Sequence, residues 1–186
     1  MLATVALWQA IPSILTVLAS MFYRGRPLDV LALHAPAGRR SVYLKALLLL
    51  AAMQIMVGAI QYTFFPQEVH ADQRQLVRLF GDQWLLALLV AGIGAPLWEE
   101  LLFRGFLLSA LAQTRLGFAG GALVSTVVWT ALHAGYSLVG IAEVFLIGLF
   151  LSWLLWRTGS LRVPIFCHAL YNSFVVVALQ LVPPPQ

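Results

Sequence analysis

The sequence predicts an all-α, polytopic membrane bundle of about six transmembrane helices, and three observations carry that expectation. Of the 186 residues, 61% are hydrophobic and only 10% charged, with a mean hydropathy of +0.90, whereas a soluble domain carries about a quarter charged residues. The apolar residues come in long continuous runs, unlike the short alternating segments of a barrel strand. Lys and Arg collect in alternate loops between the runs, as the positive-inside rule requires.

A spanning helix needs about 20 mainly apolar residues. On that measure the spans are 2–23, 44–65, 84–111, 118–136, 138–156 and 161–182. The first is kept as a span, because it lacks the basic n-region and the small-x-small cleavage pattern of a signal peptide. Residues 1–65 then read as an N-terminal transmembrane hairpin without an intramembrane charge. Residues 66–83 are polar and open on Pro66, which suits a surface loop with room for a short amphipathic helix. Residues 84–182 form a helical core and are read as holding every polar group deep in an apolar segment. A single compact membrane domain is the simplest arrangement.

The third segment is overlong and holds Gly92, Gly94 and Pro96 just before two carboxylates. Proline removes a backbone donor and can kink a membrane helix there. Small residues alternatively permit close helix packing. The Pro183-Pro184-Pro185 tail cannot continue the last helix.

Charge orients the chain. Arg24, Arg26, Arg39, Arg40 and Lys45 lie between the first two spans, Arg115 follows the third, and Arg157 and Arg162 follow the fifth. The alternate loops hold only Arg74 and Arg78, balanced by Glu68, Asp72 and Asp82. Both termini are therefore expected on the non-cytoplasmic side. Topology accounts for the net charge of +4, so no nucleic-acid partner is expected. One cysteine, Cys167, excludes an internal disulfide and a cysteine-rich metal site.

Glu99, Glu100 and Arg104 lie inside an apolar stretch, where a charge at the bilayer centre costs at least a few kcal/mol. Glu99 is about twelve residues from the segment's end, roughly 18 Å along a helix, too deep to snorkel. Glu100 and Arg104 are four apart and share a helix face, where an ion pair forms. Glu99 points about 100° away from that pair and is left for chemistry. His133 shares a face with Trp129, four residues earlier, and His168 shares one with Asn172. A carboxylate, two imidazoles and an amide are the parts of a hydrolytic site. Ser125, Ser137, Ser152 and Ser173 have no Gly-x-Ser-x-Gly elbow around them, and Cys167 and His168, as helix neighbours, point apart.

Glu99-Glu100-x-x-x-Arg104, then Trp129-x-x-x-His133, then His168-x-x-x-Asn172 together resemble the three motifs of the CAAX prenyl protease and Abi family, the glutamic intramembrane endopeptidases also called CPBP proteins. The resemblance covers roughly residues 84–180 and includes motif order and spacing. Trp129 stands where the family usually has phenylalanine, read as a conservative packing change, and the chain is short for the family. The resemblance implies that Glu99 and His133 activate a water molecule. It implies that His168 and Asn172 form an oxyanion hole, and that Glu100, Arg104 and Trp129 shape the site. It implies neither an acyl-enzyme, a metal nor another cofactor. The implied partners are the lipid bilayer and a protein or peptide substrate cut near the membrane. Candidate substrates are a prenylated CAAX terminus, a bacteriocin-like peptide, or a C-terminal sorting signal, the last two favoured in a bacterial inner membrane. Competing readings are a zinc-dependent membrane hydrolase using Glu99, His133 and His168, a proton-coupled carrier, and a non-catalytic immunity or scaffold protein. The absence of His-Glu-x-x-His counts against the first, and the absence of two similar halves against the second.

Overall fold

The computed structural model describes residues 11–12, 14–22, 26–36 and 40–185. Most of the first expected span (2–10, 13 and 23) and the basic-loop residues Arg24 and Arg39 lie outside the described residues, while 14–22 are helical. The remaining architecture is α1 (Ser41–Phe64), α2 (Pro66–Phe80), α3 (Trp84–Ala112), α4 (Gly117–Ala131), α5 (Leu138–Thr158) and α6 (Arg162–Leu181). No strand occurs among the described residues. The chain is a polytopic helical membrane protein.

Among the described residues, α1, α3, α5 and α6 are each long and apolar enough to cross a bilayer. Their outer faces expose Leu48 and Ile55 on α1, Trp156 on α5 and Phe174 on α6, an apolar surface suited to lipid. The fourth span is shorter than its hydropathy implies. α4 has 15 residues, about 22 Å at the helical rise against a hydrocarbon core of about 30 Å. Residues 132–137 leave the helix as tight turns, closed by His133 N–H to Thr130 O at 2.9 Å and Tyr136 N–H to His133 O at 3.0 Å. Ser137 then starts α5, its hydroxyl accepting the Gly140 N–H at 3.1 Å, a serine N-cap.

The segment read as a polar loop is mostly helix. Pro66 occupies the first turn of α2 and Gly81, at φ 53°, ends it. Its apolar edge, with Phe80, packs against Ala87 of α3 and Val176 and Leu179 of α6. Its other edge sends Asp72 to the turn before α5, accepting Ser137 N–H at 2.9 Å and Ser137 Oγ–H at 2.7 Å.

α3 is one continuous helix, but it widens to five-residue hydrogen bonding over Leu88–Gly94 and Glu100–Leu108. Such widened turns occur frequently at functional sites. Pro96 has no N–H, so one carbonyl a turn before it, at Ala91 or Gly92, loses a backbone donor. Two side chains of α6 replace it. Asn172 Nδ2 donates to Ala91 O at 3.0 Å and Ser173 Oγ to Gly92 O at 3.4 Å. The helices approach closely, since a methyl group on Gly92 would lie 2.7 Å from Ser173 Oγ and 3.3 Å from its Cα. The close packing read from the sequence is present at Gly92, one turn from Pro96. In the second widened stretch, Ser125 of α4 donates to Phe103 O at 2.6 Å. The central core joins Leu50 of α1, Phe103 of α3, Trp129 of α4, Leu151 of α5 and Cys167 of α6.

Gly92→Val forces α3 away from α6, and overpacking of this kind costs about 1–3 kcal/mol. Thermal unfolding of detergent-purified protein should show a clearly lowered midpoint for Gly92→Val. Gly58→Ala, where a methyl group meets nothing within 4 Å, should leave it unchanged or raised. Equal midpoints for both variants would contradict the packing described.

Candidate active site

Glu100 and Arg104 sit one turn apart on α3, both at 0% exposure, with Nη1 of the arginine 2.9 Å from Oε1 of the glutamate. The expected ion pair is present, and it has two further supports. His168 of α6 places Nδ1 2.9 Å from the same Glu100 Oε1. A carboxylate only accepts, so Nδ1 carries the proton. The Arg104 guanidinium also lies over the Trp129 ring, 4.2 Å from its centroid, a cation–π contact worth more when desolvated. Gly148 of α5 makes room, since a methyl group there would come within 3.1 Å of both Arg104 Nη2 and Trp129 Cε3.

Glu99 faces differently, as the 100° step requires, and is 8% exposed. Its Oε2 accepts the Trp129 indole N–H at 2.7 Å and lies 4.0 Å from His168 Nε2. The tryptophan is therefore more than a packing change: phenylalanine has no N–H to hold Glu99. His133 stands in the turn beyond α4. Its Nδ1–H donates to Trp129 O at 3.0 Å, which leaves Nε2 as the proton-accepting nitrogen. The imidazole packs edge-on to Trp129, centroids 4.9 Å apart, and stacks on Tyr136 at 6.0 Å. Burial pushes the Tyr136 phenol up to about 12, with the Asp72, Glu99 and Glu143 carboxylates acting in the same direction. At ordinary pH it is a hydrogen-bond donor.

Glu99, His133, His168 and Asn172 all line one cavity of about 600 Å³, together with Trp129 and Tyr136. Both expected oxyanion donors also have structural bonds, His168 Nδ1 to Glu100 and one amide hydrogen of Asn172 to Ala91 O. Among the described residues, no three of His, Cys, Asp and Glu group as metal ligands. The four serines are occupied with backbone carbonyls or, for Ser137, with Asp72.

The polar lining extends beyond residues 84–182, correcting the expectation that every deep polar group lies there. Gln54 and Gln61 of α1 line the cavity, and so does Glu143 of α5, which sequence reasoning passed over. Glu143 is the only acidic residue in α5. Its depth was the available signal, five residues beyond the helix start in an otherwise apolar run. Its Oε1 accepts Gln54 Nε2 at 2.6 Å and Tyr171 OH at 2.7 Å.

Residues 81–174 match a family model described as type II CAAX prenyl endopeptidase Rce1-like. "Putative membrane peptidase YdiL" of Bacillus subtilis (strain 168) is 31% identical over 137 residues, 70% of this chain and 52% of the relative. "Uncharacterized 24.3 kDa protein" of Escherichia coli is 36% identical over 99 residues, 50% of this chain and 46% of the relative. The chain spans about half the length of these curated relatives. No solved structure matches it.

Arg104→Ala strands Glu100 as a buried charge, which costs roughly 3–5 kcal/mol. Its yield from detergent-extracted membranes should collapse and its unfolding midpoint fall. Arg104→Ala combined with Glu100→Gln should recover part of both. A stable single variant would contradict the buried pair.

Proposed function

We propose that this chain, which belongs to the Rce1-like family of type II CAAX prenyl endopeptidases, hydrolyses a peptide bond at the membrane with a water molecule activated by Glu99 and His133. The observation that carries the reading is the gathering of Glu99, His133, His168 and Asn172 around one cavity while Glu100 is withdrawn into its pair with Arg104. The reaction needs a proton acceptor for the water, a stabiliser for the carbonyl oxygen and a proton for the leaving amine.

Glu99 has one oxygen fixed by the Trp129 indole, which leaves Oε1 for the water. His133, its Nδ1–H donated to a carbonyl, offers Nε2. Hydroxide adds to the carbonyl carbon as these groups take the proton. The same proton passes to the amine nitrogen as the C–N bond breaks, so no acyl-enzyme forms. Groups of this kind typically contribute 10²–10⁴-fold in rate. The remaining amide hydrogen of Asn172 serves the developing oxyanion, and His168 joins it as an imidazolium, whose Nε2–H is free while Nδ1–H is held by Glu100; loss of one donor costs roughly 10²–10³-fold. The metal-independent, glutamic character belongs to this proposal.

The chain is an integral membrane protein, and its curated relatives come from bacteria, which places it in the bacterial inner membrane. The proposed substrate is a membrane-anchored protein or peptide cut near the bilayer, such as a C-terminal sorting or CAAX-like signal.

Comparative C-terminal peptidomics tests this on membranes of cells carrying wild type, Glu99→Gln or His133→Ala. The expected result is a set of trimmed termini present with wild type and absent with both variants, each of which remains extractable and folded. Cleavage by wild type should persist after treatment with a strong chelator. Wild-type termini in Glu99→Gln cells would sink the glutamate mechanism, and loss with chelator followed by zinc rescue would favour a metal hydrolase.

A further inference from the structure

Among the described residues, three carboxylates line the cavity, those of Asp72, Glu99 and Glu143, and no Lys or Arg does. Two of them are accounted for. Asp72 accepts both donors of Ser137 at the start of α5, and Glu99 faces the water in the proposed reaction. Glu143 has no such role. A carboxylate within a membrane-crossing helix is costly and marks a functional position by default.

Its hydrogen bonds are lopsided. Gln54 Nε2 and Tyr171 OH both donate to Oε1, at 2.6 and 2.7 Å, and neither bonds Oε2. Gln54 adds an independent sign, because its own Oε1 is buried without a hydrogen-bond partner. Flipping that amide would place its oxygen against the carboxylate, so the orientation is fixed chemically. Helices α1 and α5 thus bring together two acceptor oxygens without donors, beside a negative charge. Of the two, Gln54 Oε1 is buried and unsatisfied, which is unfavourable, and the ligand that satisfies both oxygens carries several N–H groups and a positive charge.

We propose that Glu143 and Gln54 form a subsite for a cationic group of the substrate, either a Lys or Arg side chain near the scissile bond or a free α-amino group. The subsite rests on the peptidase reading of the same cavity and gives that reading a substrate class. Tyr171 fixes Glu143 from α6, the helix that also carries His168 and Asn172, so charge recognition and chemistry share a support.

The test uses the full chain, purified in detergent, acting on a proteome-derived peptide pool with cleavage sites read by mass spectrometry. Wild type should enrich a cationic group at one position relative to the cut, either Lys and Arg or the peptide's own N-terminus, by at least about tenfold, the selectivity one charge-assisted contact supplies. Glu143→Gln keeps an acceptor for Tyr171 while removing the charge, and its enrichment should fall to near unity while neutral peptides are still cut. Gln54→Leu leaves the Tyr171 bond intact and should lower the enrichment in part. Glu143→Lys should invert it toward Asp and Glu. A pool acetylated at its N-termini separates the two sources: enrichment retained assigns the side chain, and cleavage lost assigns the α-amine. Wild-type cleavage without preference for a cationic group, or an undiminished preference in Glu143→Gln, would overturn the subsite and leave the peptidase standing. Equal cleavage by wild type and Glu99→Gln would instead remove the reading beneath it.

Discussion

Glu100 and Arg104 lie 2.9 Å apart with no exposure on either side chain, and burying two charges costs several kcal/mol per ion even after the protein relaxes. Their mutual attraction offsets that cost only with good geometry and additional partners. The bundle supplies the geometry and some of the partners, while Glu100 Oε2 and Arg104 Nε and Nη2 stay buried without a hydrogen bond. α3 sets the four-residue spacing, α6 brings His168 to the carboxylate, α4 lays Trp129 against the guanidinium, and α5 leaves space at Gly148. Four helices therefore converge on one ion pair. The residues that converge there, Trp129 and His168, also contact Glu99. The site is positioned by the same contacts that make its buried charges tolerable.

The second constraint is Pro96. A proline within a membrane helix leaves a carbonyl that lipid cannot satisfy, and Asn172 and Ser173 of α6 donate to Ala91 and Gly92 here. This fixes the register of α6 against α3, and with it the height of His168 relative to Glu99 and Glu100. Asn172 thus has a structural bond in addition to its proposed part in the reaction, and a variant at this position moves stability together with rate.

Much of this was legible in the sequence. Spacing alone paired Glu100 with Arg104 and turned Glu99 aside, because helix geometry is local and tolerant of the widened turns. The approach of Trp129 to His133 followed from the same rule, although His133 lies beyond the helix end. What spacing does not encode is contact between helices. The indole bond to Glu99, the link from His168 to Glu100 and the repair of the proline gap all depend on packing across the bundle. Hydropathy likewise read α4 as a full span, since residues 132–136 are apolar enough to continue it while their turns are not helical. Gln54 and Glu143 escaped notice because each is flanked on both sides by apolar residues. Their significance appears only when α1 and α5 meet.

The central claim is that two adjacent carboxylates of one helix have been assigned to different work by their neighbours, and paired amide variants at those positions test it most directly. Thermal unfolding and peptide cleavage would be measured on the same detergent preparations of Glu99→Gln and Glu100→Gln. The account predicts that Glu99→Gln keeps the wild-type midpoint and loses cleavage, while Glu100→Gln lowers the midpoint because Arg104 loses its counter-charge. An active Glu99→Gln, or equal destabilisation of the two variants, would contradict it.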